Sequence, residues 1–162
     1  MPILSRSESG CMSVHDRALA DRFQGTMRGD WSRRLICGIG VDLVETSRMS
    51  SAYQRHGERL VRRVCVPTEV ARVLRAQAPV RELSAIFAVK EAVMKALGTG
   101  MRGVGWKEIR TDTELEGSID RLLSGRALAV AHRRGAERYA YSVTASEELA
   151  IATVLLNGRG RV

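Results

Sequence analysis

The chain has 162 residues, a net charge of +8 and a hydrophobic share of 44%, which fits one domain with a packed core. No apolar run is long enough to span a bilayer, and the opening Met1-Pro2-Ile3-Leu4-Ser5-Arg6 has no apolar h-region, so neither a membrane span nor a signal peptide is expected. Cys11, Cys37 and Cys65, like His15, His56 and His132, are scattered and form no C-x-x-C, which argues against a zinc site and for a reducing, cytoplasmic location.

The positive charge is mostly arginine. It has two readings: a solvated basic surface, or attraction to an acidic partner. Nucleic acid is disfavoured as that partner. Aromatic content is only 4%, with no aromatic-basic interleaving for base stacking and no zinc-finger or RNA-recognition signature.

Residues 1–34 read as a polar N-terminal extension with Gly10, Gly25 and Gly29, expected to be partly disordered apart from a short helix at Ala18–Phe23. Leu35–Glu45 reads as a strand. Its alternation places Cys37, Ile39, Val41 and Leu43 on one face, expected to be core. Gly38, Gly40 and Asp42 fall on the other, an acid beside two residues without side chains, which leaves room for a ligand.

Thr46 or Ser47 caps a helix running to about Leu60, and Pro67-Thr68-Glu69 opens another that lasts to about Gln77. Pro79 breaks the chain. The main helix is expected over Arg81–Leu97, with Leu83, Ile86, Phe87, Val93, Met94 and Leu97 at helical spacing. Trp106–Thr111 reads as a short strand and Thr111–Asp120 as a polar, turn-rich stretch. Ser124–Arg134 reads as a helix ended by Gly135. Tyr139–Ala145 and Leu149–Leu156 read as a hairpin joined at Ser146-Glu147-Glu148, before a basic tail over 158–162. Helices interspersed with a hairpin-containing sheet indicate an α+β fold.

The chemistry concentrates in the main helix. Glu91 and Lys95 stand one turn apart, and Gly98-Thr99-Gly100 follows. A carboxylate and an ammonium on one face, then a loop with bare backbone N–H groups, suit a metal and a phosphate. Each residue also has a plain structural reading. Glu91 and Lys95 make an exposed pair worth ~0.2–0.5 kcal/mol, Gly98 caps the helix, and Asp42 hydrogen-bonds a nearby turn. The helix C-terminus itself disfavours phosphate, so Lys95 and a cation would have to outweigh it.

The strand Gly38-Ile39-Gly40-Val41-Asp42, the stretch Phe87-Ala88-Val89-Lys90-Glu91-Ala92-Val93-Met94-Lys95-Ala96-Leu97-Gly98-Thr99-Gly100 and the later Gly103-Val104-Gly105-Trp106-Lys107-Glu108-Ile109 occur in that order. Together they resemble the 4′-phosphopantetheinyl transferases of the holo-acyl-carrier-protein synthase type. The resemblance runs from about Leu35 to about Leu156 and is weak between Thr111 and Tyr139. It implies a single-copy fold over 35–157, an antiparallel sheet packed against a long helix. It also implies a homotrimer with sites between subunits.

The implied reaction is Mg²⁺-dependent: a serine of an acidic apo acyl carrier protein attacks the β-phosphate of coenzyme A and takes its phosphopantetheine. The resemblance implies that Asp42 and Glu91 bind the metal. Glu91 also helps deprotonate the serine, directly or through water, and Lys95 contacts the phosphates and protonates the leaving oxygen. Lys90, Gly98, Thr99 and Gly100 are expected as further coenzyme A contacts, Thr144 and Ser146 as contacts that compensate for Ala145, and Arg48, Arg59 and Arg63 as the residues that grip the carrier.

The match has gaps. Ile86 stands where relatives commonly carry arginine, Ala145 where they carry histidine, and Gly117-Ser118-Ile119 replaces a G-[KR]-P turn. Two other readings stay open: a relative that binds a carrier without modifying it, and a scaffold repurposed for another diphosphate or an already loaded carrier.

Overall fold

The structure is a computed structural model and describes residues 34–100 and 103–159. The expected N-terminal extension, its short helix and the end of the basic tail lie outside the described residues. Four strands form one antiparallel sheet: β1 (Arg34–Glu45), β2 (Glu116–Ser118), β3 (Arg138–Ala145) and β4 (Leu149–Arg159), in the order β1-β4-β3-β2. Among the described residues six helices accompany it: α1 (Thr46–His56), α2 (Glu58–Val64), α3 (Pro67–Arg75), α4 (Pro79–Ala96), α5 (Ile119–Leu122) and α6 (Gly125–Arg133). The long α4 packs across one face of β1, β4 and β3. This is the α+β arrangement of an antiparallel sheet on a long helix.

The inward face of β1 is the reverse of the expected one. Ile39, Val41 and Leu43 are 58%, 51% and 54% exposed, and Leu35 and Ile36 are exposed with them. Gly38 and Gly40 instead lie against α4. A Cβ on Gly38 would stand 2.2 Å from the Ala96 carbonyl oxygen, and one on Gly40 would stand 1.9 Å from that of Ala92. Close backbone approach thus takes the place of side-chain interlocking, and it needs small residues on both elements. Farther along the same row, Val44 is buried. β4 supplies the rest of the inner face with Ala150, Ala152, Val154 and Leu156, all buried.

The helix expected to run to Leu60 is two helices. Gly57, at φ +51°, ends α1 and starts α2. Pro79 does not break the chain but occupies the first turn of α4, where a missing N–H costs nothing. α4 ends in a Schellman motif: Gly98 N–H donates to the Lys95 carbonyl, and Thr99 N–H to that of Met94. The stretch read as a strand at Trp106–Thr111 is a 3₁₀ turn at Trp106–Glu108 followed by one bridge from Ile109 to Leu123. Trp106 turns inward onto Phe87, with ring centroids 4.8 Å apart. Within the polar stretch after it, Glu116–Ser118 forms the short edge strand β2.

Ile86 is 1% exposed. The position where the resemblance led to an expectation of arginine is therefore a core position in this chain, and the change to isoleucine suits its surroundings.

Candidate active site

Asp42 lies two residues beyond Gly40 on the inward row of β1, so the close approach of strand and helix carries its carboxylate to the side of α4. Lys95, in the last turn of α4, donates to Asp42 Oδ1 at 2.8 Å and to the Val41 carbonyl at 2.9 Å. The Asp42 side chain is 12% exposed and that of Lys95 is 51% exposed. An ion pair this open to water contributes at most about 1 kcal/mol, so a better ligand displaces the ammonium at small cost.

Glu91 is half-buried one turn before Lys95. Burial pushes its carboxyl up from the ordinary carboxylate range. The charge of Asp42 pushes the same way, and Lys95 opposes both. Two carboxylates thus repel across a gap that one ammonium only partly neutralises. Such a pair of carboxylates could hold a small, hard divalent cation. Mg²⁺ takes one or two protein carboxylates and fills its remaining positions with water and phosphate oxygens. No group of three or more His, Cys, Asp or Glu able to hold a metal occurs among the described residues. The remaining ligands would therefore come from substrate and solvent.

Lys90, expected as a phosphate contact, is placed elsewhere. It is fully buried, and its three donors go to Glu69 Oε2 at 2.7 Å, the Val64 carbonyl at 2.9 Å and the Trp106 carbonyl at 3.1 Å. No donor is left for a ligand. The register explains it: one residue is about 100° of helical rotation, so with Glu91 turned outward its neighbour faces the core. Glu69 was not foreseen as a partner. Its carboxylate also accepts from the N–H of Val66 and from the N–H and hydroxyl of Thr111. This buried pair ties α3, α4 and the turn after Trp106 together directly behind Glu91.

Gly98 and Gly100 are exposed with φ of +60° and +53°, conformations that favour glycine. Thr99 sits between them with its hydroxyl 3.5 Å from the Met94 carbonyl. Thr144 does not meet the Asp42 group within one chain. It pairs with Ile151, which pairs with Leu43, so it belongs to the outward row whereas Asp42 belongs to the inward one. The Ser146 hydroxyl accepts from the N–H groups of Glu148 and Leu149 and so closes the β3–β4 turn. It is committed locally rather than offered to a ligand. Arg48 on α1, and Arg59 and Arg63 on α2, are exposed and none of the three forms an ion pair among the described residues.

A family model described as the 4′-phosphopantetheinyl transferase superfamily matches residues 38–154. A holo-[acyl-carrier-protein] synthase of Koribacter versatilis is 38% identical over 123 residues, 75% of this chain and 98% of that protein. One from Nitratidesulfovibrio vulgaris is 40% identical over the same shares. Among solved structures, the holo-[acyl-carrier-protein] synthase of Neisseria meningitidis superposes with a TM-score of 0.63 at 30% identity, over 75% of this chain and 98% of that one. The Helicobacter pylori synthase, solved in complex with coenzyme A, has a TM-score of 0.57 over 73% of this chain and 98% of that one. At 21% identity, that likeness is one of fold alone.

Proposed function

Because this chain belongs to the 4′-phosphopantetheinyl transferase superfamily and is a holo-acyl-carrier-protein synthase-like enzyme, we propose that it moves 4′-phosphopantetheine from coenzyme A to a serine of an apo acyl carrier protein. The observation that carries the reading is the convergence of Asp42, Glu91 and Lys95 at the start of a glycine loop. Relatives named holo-[acyl-carrier-protein] synthase, matched over nearly their whole length, support the acyl carrier protein as partner.

In the proposed mechanism, Asp42 and Glu91 would hold Mg²⁺, which would neutralise charge at the diphosphate. The carrier serine oxygen forms a bond to the β-phosphorus, and the bond from that phosphorus to the bridging oxygen breaks. The serine proton goes to Glu91, directly or through a water. Lys95, released from Asp42, donates a proton to the leaving oxygen as 3′,5′-ADP departs. Gly98 and Gly100 let backbone approach the phosphates without a Cβ in the way. Arg48, Arg59 and Arg63 offer an open basic face to an acidic carrier, mainly raising its association rate.

We propose further that the active form is a homotrimer with shared sites. The outward face of β1 and β4 exposes Leu35, Ile36, Ile39, Val41, Leu43 and Ile151, an apolar strip of the kind that marks a protein contact. Thr144 lies on that same face and would be covered with it between copies. No helix among the described residues is long and apolar enough to cross a membrane, in keeping with a soluble carrier as partner. The reading is tested by chelation. Modification of an apo carrier in the presence of coenzyme A should stop when divalent cations are removed and return when Mg²⁺ is restored. Modification undiminished by chelation would refute the metal assignment.

A further inference from the structure

Helix α2 carries Arg59 and Arg63, two of the three arginines offered to a carrier, whereas Asp42 stands on β1 and Glu91 on α4. Something must fix the distance between them. α1, which carries Arg48, packs directly on α4. α2 is set apart from α1 by Gly57 at φ +51°, and its broad packing is on α1, α3 and the Trp106 turn. α4 reaches it through one side chain. Lys90 donates to the carbonyl of Val64, the last residue of α2, at 2.9 Å, and to that of Trp106 at 3.1 Å. Its third donor goes to Glu69 at 2.7 Å. Glu69 in turn accepts from the N–H of Val66, just past the end of α2, and from the N–H and hydroxyl of Thr111. Both side chains are 0% exposed. Arg72 of α3 closes the network by donating to the carbonyl and hydroxyl of Thr111.

We propose that Glu69 and Lys90 are positioning residues for the transfer: together they hold the carrier-gripping helix α2 at a fixed place relative to Glu91. The proposal rests on the transferase reading, since what the pair aligns is the carrier serine. Stability does not require a pair of this kind. The attraction within a buried ion pair roughly offsets the cost of burying it, and well-packed apolar side chains of similar volume commonly hold a fold as well. Direction is what the ions add. An apolar contact resists compression but tolerates sliding, whereas each bond of this network fixes an angle as well as a distance. Every donor of Lys90 and both oxygens of Glu69 are engaged, so neither side chain can turn away without stranding a buried polar group. Lys90 is also the residue next to Glu91 in α4, so its bond to Val64 ties the carrier helix to the backbone that carries the acid. Misplacement of reacting atoms by about 1 Å costs on the order of 100-fold in rate. Play between α2 and α4 would therefore show in turnover before it shows in binding.

The test compares the full chain with the double variant Glu69→Gln/Lys90→Met, which removes both charges at once and leaves none bare in the core. Melting temperature reports folding, titration calorimetry with an apo acyl carrier protein reports the grip on the carrier, and steady-state transfer reports turnover. The folded double variant should bind the carrier as the parent does and keep its KM for coenzyme A, while kcat falls at least about tenfold, the pattern of lost alignment rather than lost binding. Glu69→Asp keeps both charges and draws the carboxylate back by one methylene. It should lose several-fold in kcat, and it decides the matter if the double variant does not fold. Amide hydrogen exchange supplies a readout outside turnover: the amides of α2 should exchange faster in both variants, with those of α4 unchanged. A merely structural pair predicts a lower melting temperature with parental kcat per folded molecule, and that result overturns the proposal. So does a fall in transfer carried entirely by the KM for the carrier, or one with α2 exchange unchanged. If the parent modifies no carrier, the transferase reading falls. Faster α2 exchange in the variants then keeps the coupling of α2 to α4, and unchanged exchange removes both.

Discussion

Gly40 and Ala92 touch backbone to backbone: a Cβ on the glycine would stand 1.9 Å from the alanine carbonyl oxygen. This contact sets how closely β1 lies on α4, and with it how far Asp42 stands from Glu91 and Lys95. A residue without a side chain thereby becomes part of the site's geometry.

Gly40→Ala should accordingly do two things. The added methyl meets main chain rather than a flexible side chain, so strand and helix must separate, at a cost of about 1–3 kcal/mol or more. Urea unfolding reads that loss, and the same variant should lose transferase activity by more than its folded fraction explains. Unchanged stability would mean that the strand and helix are not so closely apposed.

Lys90→Met tests the buried pair behind the site. The substitution leaves Glu69, which is fully buried, without its cation, and breaking one side of such a pair costs about 3–5 kcal/mol. The expected result is a large fall in the denaturant midpoint. A fall under about 1 kcal/mol, with only substrate affinity reduced, would restore Lys90 as a surface phosphate contact.

Glu91 gives a pH signature. Its proton affinity is raised in the fold by burial and by Asp42. Its contribution to stability is therefore fully present below the ordinary glutamate range and is lost as pH rises through its raised value. Glu91→Gln should melt higher than the parent at pH 7 to 8, by on the order of a degree at a partly solvated site. The difference should vanish near pH 4, where both side chains are neutral. A variant that melts lower at neutral pH would mean that Glu91 is a structural partner rather than a strained ligand.

The exposed row on β1 predicts assembly. Val41→Glu places a charge in the middle of the apolar strip without touching the core, since Val41 is 51% exposed. Sedimentation should show the parent as a trimer and the variant as single chains, with activity falling as shared sites are lost. A parent that sediments as a monomer would contradict the shared site.

The chain's architecture was legible wherever local pattern and tertiary demand agreed. The hairpin, the strand at Leu35–Glu45 and the Gly98 terminus all follow from alternation, helical period and turn chemistry, whereas the N-cap of α1 is Glu45, with no side-chain cap bond, and not the expected Thr46 or Ser47. The candidate site was named from two motifs, a strand that carries Asp42 and a helix that carries Glu91 and Lys95, and the fold brings Lys95 onto Asp42. What failed did so for physical reasons. Alternation in β1 distinguished two faces but not which was core, because small residues can pack by backbone approach and an apolar row can await another chain. Lys90 looked available because sequence does not show Glu69 arriving from α3. Trp106 looked like a strand residue because its packing on Phe87 is tertiary.

The most direct test of the central claim is the intact mass of an apo acyl carrier protein after incubation with this enzyme, coenzyme A and Mg²⁺, with Asp42→Ala and Glu91→Ala proteins alongside. The account predicts a gain of one phosphopantetheine with the parent and none, or slowing by several orders of magnitude, with either variant. Absence of any gain across several carriers by the folded parent, or a gain undiminished in both variants, would contradict it.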